Sequence, residues 1–171
     1  MQIKVVGQPG QPQGQLTCGT FSCAVALGKN GVIPAPQKRE GDGCTPLGTY
    51  QILYGLYRSD RVAEPQNTGL KWLPLTPQMG WCDAPDNAAY NSLVPAGYLA
   101  SHEVLWRDDA AYDRVLVISH NLPAVAGLGS AVFVHQLHEG KAHTAGCVAL
   151  AAADFTRLLA LQPTLLDIAL K

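Results

Sequence analysis

Apolar residues in this chain fall mostly into short runs broken by glycine and proline, with few long periodic stretches. Arg114-Val115-Leu116-Val117-Ile118-Ser119-His120 is a continuous apolar run, as expected of a strand buried on both faces. Ala131-Val132-Phe133-Val134-His135 is a second, ending in histidine. Gly48–Tyr57 reads as a third strand, and residues 16–28 as a strand with a glycine break. Residues 7–15 read as a polar loop, residues 37–49 as a glycine- and charge-rich loop, and Lys29-Asn30-Gly31 as a tight hairpin turn. Residues 151–162 have helical spacing, with Phe155, Leu158, Leu159 and Gln162 on one face. Asp154 sits near the start and Pro163 forms the stop. Leu165–Leu170 is expected to be a final strand. Residues 62–100 have no long periodic run and predict an irregular insertion over one face, a possible lid. The fold class that follows is mostly β (β-rich α+β).

A length of 171 residues suits one domain spanning 1–171. At 47% hydrophobic and 15% charged residues, the chain is too apolar and too weakly charged for intrinsic disorder. A net charge of −1 gives no overall attraction to nucleic acid or to an anionic membrane. The first ten residues lack the apolar core of a secretory signal, and no run approaches a membrane span. These features predict a cytoplasmic protein, with a periplasmic one as the alternative. Five cysteines, an odd number, fit a reducing compartment in which pairing is unnecessary.

The candidate chemistry lies in Val132–Leu150, VFVHQLHEGKAHTAGCVAL. A thiol is only slightly ionised at neutral pH and needs a base to act as a nucleophile. His135, at a strand end, is a rigid base for Cys147. Gly146 permits a tight turn, and backbone N–H groups near Gly146 and Cys147 could face a developing oxyanion. The ordinary reading of a buried cysteine, an inert small hydrophobe, stands beside this one. A zinc site built from His135, His138, His143 and Cys147 is disfavoured. No metal-binding spacing is present, and His138 would face away from His135 along a continued strand.

These residues resemble the catalytic motif of the L,D-transpeptidase (YkuD) family: a strand ending in histidine, a variable loop, then Ser/Thr-x-Gly-Cys and an aliphatic residue. KREGDGCTPLGTYQI (38–52) resembles that family's Thr-Pro-x-Gly turn into a strand. GWCDAPDNAAYN (80–91) and SHEVLWRDDAAYDRVLVISHN (101–121) resemble a subgroup of its small members. The resemblance spans roughly residues 20–150. It implies a β-sandwich or barrel with one or two packed helices. It also implies a cysteine that attacks the bond after the third residue of a peptidoglycan stem peptide, forming a thioester. In these terms Cys147 is the nucleophile, His135 the general base, Gly146 the glycine of the oxyanion turn and Thr144 the Ser/Thr position.

Two departures from that pattern matter. Ala145 stands where the family commonly has a second histidine, whose backbone is what counts, and Ala149 where it has arginine. A carboxylate-rich substrate needs cations. Arg107 is the first candidate to supply one, followed by Lys38 and Arg39. His120 and His102 are further candidates for substrate contact or support. Cys18 and Cys23 are expected on opposite faces of one strand, Cys44 in the glycine-rich loop near the Thr-Pro turn, and Cys82 after Trp81 in the insertion. Chain order, with His135 before Cys147, argues against hydrolases that run Cys before His. A sortase with Arg157 as its arginine is disfavoured because the sortase cysteine lacks a preceding glycine. No cofactor, metal or nucleic-acid partner is implied. The expected activity is L,D-carboxypeptidase trimming of muropeptide tetrapeptide to tripeptide. The alternatives are 3→3 crosslinking in the envelope or an inactive peptidoglycan-binding module.

Overall fold

A computed structural model describes residues 1–95 and 97–171. The first strands are β1 (Gln2–Gln8), β2 (Gln11–Cys18), β3 (Phe21–Ala26), β4 (Val32–Pro34) and β5 (Thr45–Tyr57). Next come β6 (Trp72–Pro74), β7 (Met79–Cys82), β8 (Leu93–Pro95), β9 (His102–Val104), β10 (Arg114–Ile118), β11 (Phe133–Gln136) and β12 (Val148–Leu150). The helix α1 (Ala152–Ala160) and β13 (Leu165–Leu170) end the chain. The strand order β10-β11-β12-β3-β2-β1-β13-β5 closes on itself because β5 also pairs with β10. The 13-residue β5 makes closure possible: its first half pairs with β13 and its second half with β10. The result is a closed, barrel-like sheet without free edges along this ring. This agrees with the β-rich expectation.

The two buried runs behave as their composition predicts. On β10 and β11, Leu116, Ile118 and Val134 face one core with Ile3, Leu16, Leu150 and the helix residues Phe155 and Leu158. Val115, Val117 and Phe133 face a second core, where Leu75, Trp81, Leu105 and Tyr112 cover them. Alternation places successive side chains on opposite faces, so a strand buried on both sides must be apolar throughout. The segment 62–100 contributes Leu75 and Trp81 to this cover, and residues 105–112 contribute Leu105 and Tyr112. The segment 62–100 also carries β7 and β8, which with β9 form a small three-stranded sheet.

Several local expectations are corrected. Residues 7–15 are not a loop but the two arms of a hairpin, β1 and β2. The alternation is disguised because inward positions carry Pro12 and Gly14, and a β-carbon on Gly14 would meet the Val6 carbonyl oxygen at 2.7 Å. Residues 16–28 are two strands joined by a turn at Gly19-Thr20. Cys18 and Cys23 consequently lie on opposite arms, with both side chains in the same core, since Leu16 pairs with Cys23. Asn30-Gly31 does turn, with the Gly31 N–H donating to the Gly28 carbonyl at 2.8 Å. It joins β3 to β4, which do not pair, so it is no hairpin. The helix ends at Ala160; Gln162 has φ of 51° and bonds Asn67 instead of joining the apolar face. All five cysteines are buried and unpaired. Among the described residues no helix is long and apolar enough to cross a membrane.

Candidate active site

Strand register brings the candidate residues together. β11 and β12 run parallel, with His135 beside Ala149 and Val134 beside Val148. One step back, Cys147 lies beside Phe133, and its thiol meets the Phe133 N–H at 3.3 Å. Phe133 and His135 are two residues apart and share a face, so Cys147 and His135 emerge on the same side as diagonal neighbours. Both line a cleft of about 610 Å3, together with Arg107, Thr144, Ala145 and Gly146. That volume falls within the usual range for a small-ligand site.

Cys147 is held by its backbone and its sulfur. Its carbonyl accepts from the Thr144 hydroxyl at 2.8 Å and the Thr45 hydroxyl at 3.3 Å. Thr45, fully buried, also accepts the Gly28 N–H at 2.8 Å, which ties the turn of β5 to the cysteine. The Gly146 N–H donates to the Thr144 hydroxyl at 3.0 Å. Among the described residues the Cys147 N–H has no protein partner. Gly146 has φ of 154°, and a β-carbon there would lie 2.9 Å from the Cys44 carbonyl oxygen. The Cys147 thiol donates to the Ala131 carbonyl at 3.1 Å. Burial pushes this thiol up to about 12, with Glu103 adding to the rise while the Phe133 N–H and Lys38 oppose it.

His135 is buried, and its Nδ1–H donates to the Gln136 carbonyl at 2.6 Å. That bond fixes the tautomer and leaves the Nε2 lone pair for a proton. The edge of Tyr112 packs against the ring at 5.1 Å between centroids. Burial lowers the imidazole to about 4, against the opposing pull of the Gln136 and Ala111 backbones. At rest the site therefore holds a neutral thiol and a neutral imidazole. This avoids the several-kcal/mol cost of desolvating an ion pair.

The cations and the other histidines divide by position. Arg107 lines the cleft, but its fork is closed on Asp109, with Nε at 2.9 Å and a terminal nitrogen at 2.6 Å. Lys38 lines it too, with its ammonium 2.5 Å from Asp42. Arg39 is exposed and turns back to the Pro36 and Lys38 carbonyls. His102 lies in the small sheet, with Nδ1 2.9 Å from the Ala100 carbonyl and its ring over Gly80, outside the cleft lining. His120 is also outside it: buried, edge-on to Tyr50, with Nε2 3.1 Å from the Leu128 carbonyl. Burial lowers His120 to about 4 as well. His138 was expected to face away from His135 but lines the same cleft, because β11 ends at Gln136 and alternation stops there. His143 is exposed at the cleft rim. Among the described residues no group of three His, Cys, Asp or Glu side chains is arranged to hold a metal. Arg157 stands exposed on α1.

Residue-type reasoning missed an acidic wall. Glu103, Asp83 and Glu40 line the cleft. Glu103 accepts from the Tyr112 hydroxyl, and burial raises its carboxyl above the usual range. One oxygen of Asp83 is buried without a partner. Glu103 sits beside His102 in the sequence, and alternation along β9 sends the two to opposite faces.

A barrel-like β domain with a cysteine, a histidine and a Thr-x-Gly-Cys turn at one cleft defines a class, and the family model agrees. The model for YkuD, the L,D-transpeptidase catalytic domain, matches residues 11–164. This chain belongs to that family. Comparison with curated proteins returns no match.

Proposed function

We propose that the protein is a cysteine-dependent L,D-carboxypeptidase that removes the fourth residue from peptidoglycan stem peptides. The observation that carries this reading is that Cys147 and His135 line the same cleft of about 610 Å3, a volume in the small-ligand range. Family membership supports peptidoglycan as the substrate class.

In this reading the Cys147 sulfur attacks the carbonyl carbon of the third residue while its proton passes to Nε2 of His135. The Cys147 N–H receives the oxyanion. Collapse breaks the C–N bond, and the departing amine takes the proton from His135. Water then attacks the thioester and gives one proton to His135; collapse returns that proton to sulfur and releases the tripeptide as its carboxylic acid, which ionises to solvent. The net change is addition of one water. Because thiol and imidazole both start neutral, charge appears only as the oxyanion forms, where a fixed donor stabilises it most. The thiol must first turn from the Ala131 carbonyl toward His135. Loose catalytic hydrogen bonds of this kind tighten when substrate binds.

The proposed compartment is the cytoplasm, where recycled muropeptides would meet water as the acceptor. The test is incubation with disaccharide tetrapeptide, followed by mass spectrometry. Tripeptide and free D-alanine are expected. Crosslinked dimers as the main product would replace this reading with transpeptidation. Binding without turnover would indicate a peptidoglycan-binding module. The Cys147→Ala variant should lose turnover entirely; retained turnover would remove Cys147 as the nucleophile.

A further inference from the structure

Lys38 is 3% exposed, yet its ammonium reaches the cleft. Its stem packs on Gly129, where an added β-carbon would lie 3.1 Å from Cε and 3.2 Å from Cγ. Nζ donates to the Asp42 carboxylate at 2.5 Å and to the Arg39 carbonyl at 2.8 Å. Its third N–H has no protein partner among the described residues. Asp42 is itself fixed by the backbone N–H groups of Arg39 at 2.7 Å and Cys44 at 2.8 Å. Its negative charge is therefore shared among three donors rather than held by the ammonium alone. Nζ stands 3.9 Å from the place a β-carbon on Gly146 would occupy. The ammonium therefore stands within van der Waals reach of the residue that precedes the nucleophile.

We propose that Lys38 binds the free α-carboxylate of the departing residue, making the cleft specific for a chain end one residue beyond the bond that breaks. The inference rests on the carboxypeptidase reading above. Three bonds separate the attacked carbonyl carbon from that carboxylate, a reach of roughly 4 Å. The receptor must therefore stand within one residue's length of Cys147. Lys29 and Lys141 also line the cleft but are exposed, and the Arg107 side chain is 40% exposed, with Nε and one terminal nitrogen committed to Asp109. Lys38 alone among these cations is buried, fixed by two bonds and still able to donate. Folding has already ordered its side chain, so binding loses little entropy there, and a charge-assisted bond to carboxylate is the strong kind.

The experiment uses two substrates, disaccharide tetrapeptide acid and the same molecule with its terminal carboxylate amidated. Amidation should lower wild-type kcat/KM by about tenfold or more, chiefly through KM. Lys38→Met should be as poor on the acid as wild type is on the amide, and indifferent to amidation. Lys38→Met in the Asp42→Asn background, which leaves no buried carboxylate unpaired, should behave the same way; Lys38→Arg should regain part of the preference. Undiminished preference for the acid in both Lys38→Met proteins, each verified as folded by circular dichroism, would overturn the proposal. Calorimetric binding of both molecules to Cys147→Ala, with and without Lys38→Met, decides the same point without turnover. If wild type hydrolyses neither substrate, the carboxypeptidase reading fails. The Lys38 assignment then stands on an acid preference in binding that disappears with Lys38, and falls without one.

Discussion

The Cys147 thiol donates to the carbonyl of Ala131, 3.1 Å away, and among the described residues it makes no hydrogen bond to His135. Ala131 adopts the left-handed conformation with φ of 51°, and its N–H is held at 3.2 Å by the Asn91 side chain. This contact keeps the resting sulfur protonated. With burial pushing the thiol up to about 12, the thiolate is scarce at neutral pH. The rate of Cys147 alkylation by iodoacetamide should therefore climb about tenfold per pH unit from 7 to 9 without levelling off. Peptide mapping by mass spectrometry measures it. A plateau below pH 7 would mean that a thiolate–imidazolium pair exists at rest.

Turnover should depend differently on pH, because the proposed mechanism uses His135 as the base. His135 must be neutral to accept a proton, and its imidazole is lowered to about 4. The value of kcat/KM for acid tetrapeptide is expected to be flat from about pH 5.5 to 9 and to fall only toward pH 4. An inflection near the ordinary histidine value of 6.5 would show a solvated base and contradict the burial of this ring.

Stability carries its own pH signature. His120 and His135 both drop from 6.5 unfolded to about 4 folded. Between those values the unfolded chain binds more protons than the native one, so stability is full above pH 6.5 and declines as the pH falls toward 4. Each histidine accounts for a loss on the order of 3 kcal/mol across this window. Urea titrations at pH 7 and pH 4.5 would measure the decline. His120→Asn should flatten part of it while leaving the window of His135.

Gly146→Ala tests the turn itself. A β-carbon would press to 2.9 Å against the Cys44 carbonyl oxygen while the backbone holds φ of 154°. The turn must shift, and with it the Cys147 N–H proposed as the oxyanion donor. A loss of at least about a hundredfold in kcat is expected, comparable to removing one oxyanion donor, with a lower melting temperature. Near-normal kcat would show that the turn has room and that oxyanion stabilisation comes from elsewhere.

The strands that carry the chemistry were legible because their two-sided burial leaves an unbroken apolar run. Val115–Ile118 and Val132–His135 announce themselves in this way, and the Thr-x-Gly-Cys turn marks the start of the next strand. The β1–β2 hairpin was hidden because small or cyclic residues, Gly14 and Pro12, fill the inward positions where alternation is normally read. His138 was misplaced because alternation was extended past the strand's true end at Gln136. The roles considered for His102 and His120 drew on local motifs. The fold turns one ring onto Gly80 and buries the other against Tyr50, away from the cleft.

The sequence by itself determined the β-rich class, the closing helix and the adjacency of a histidine strand to a glycine–cysteine turn. All of these depend on neighbours within a few residues. Only the tertiary structure decided the protonation of the site, because burial of Cys147 and His135 is set by strands and loops distant along the chain. Tertiary structure also decided which charges meet: Glu103 and Lys38, 65 positions apart in the chain, stand in one cleft. The register of β11 against β12 and the closure of β5 onto β10 bring such groups together, and no local pattern encodes either.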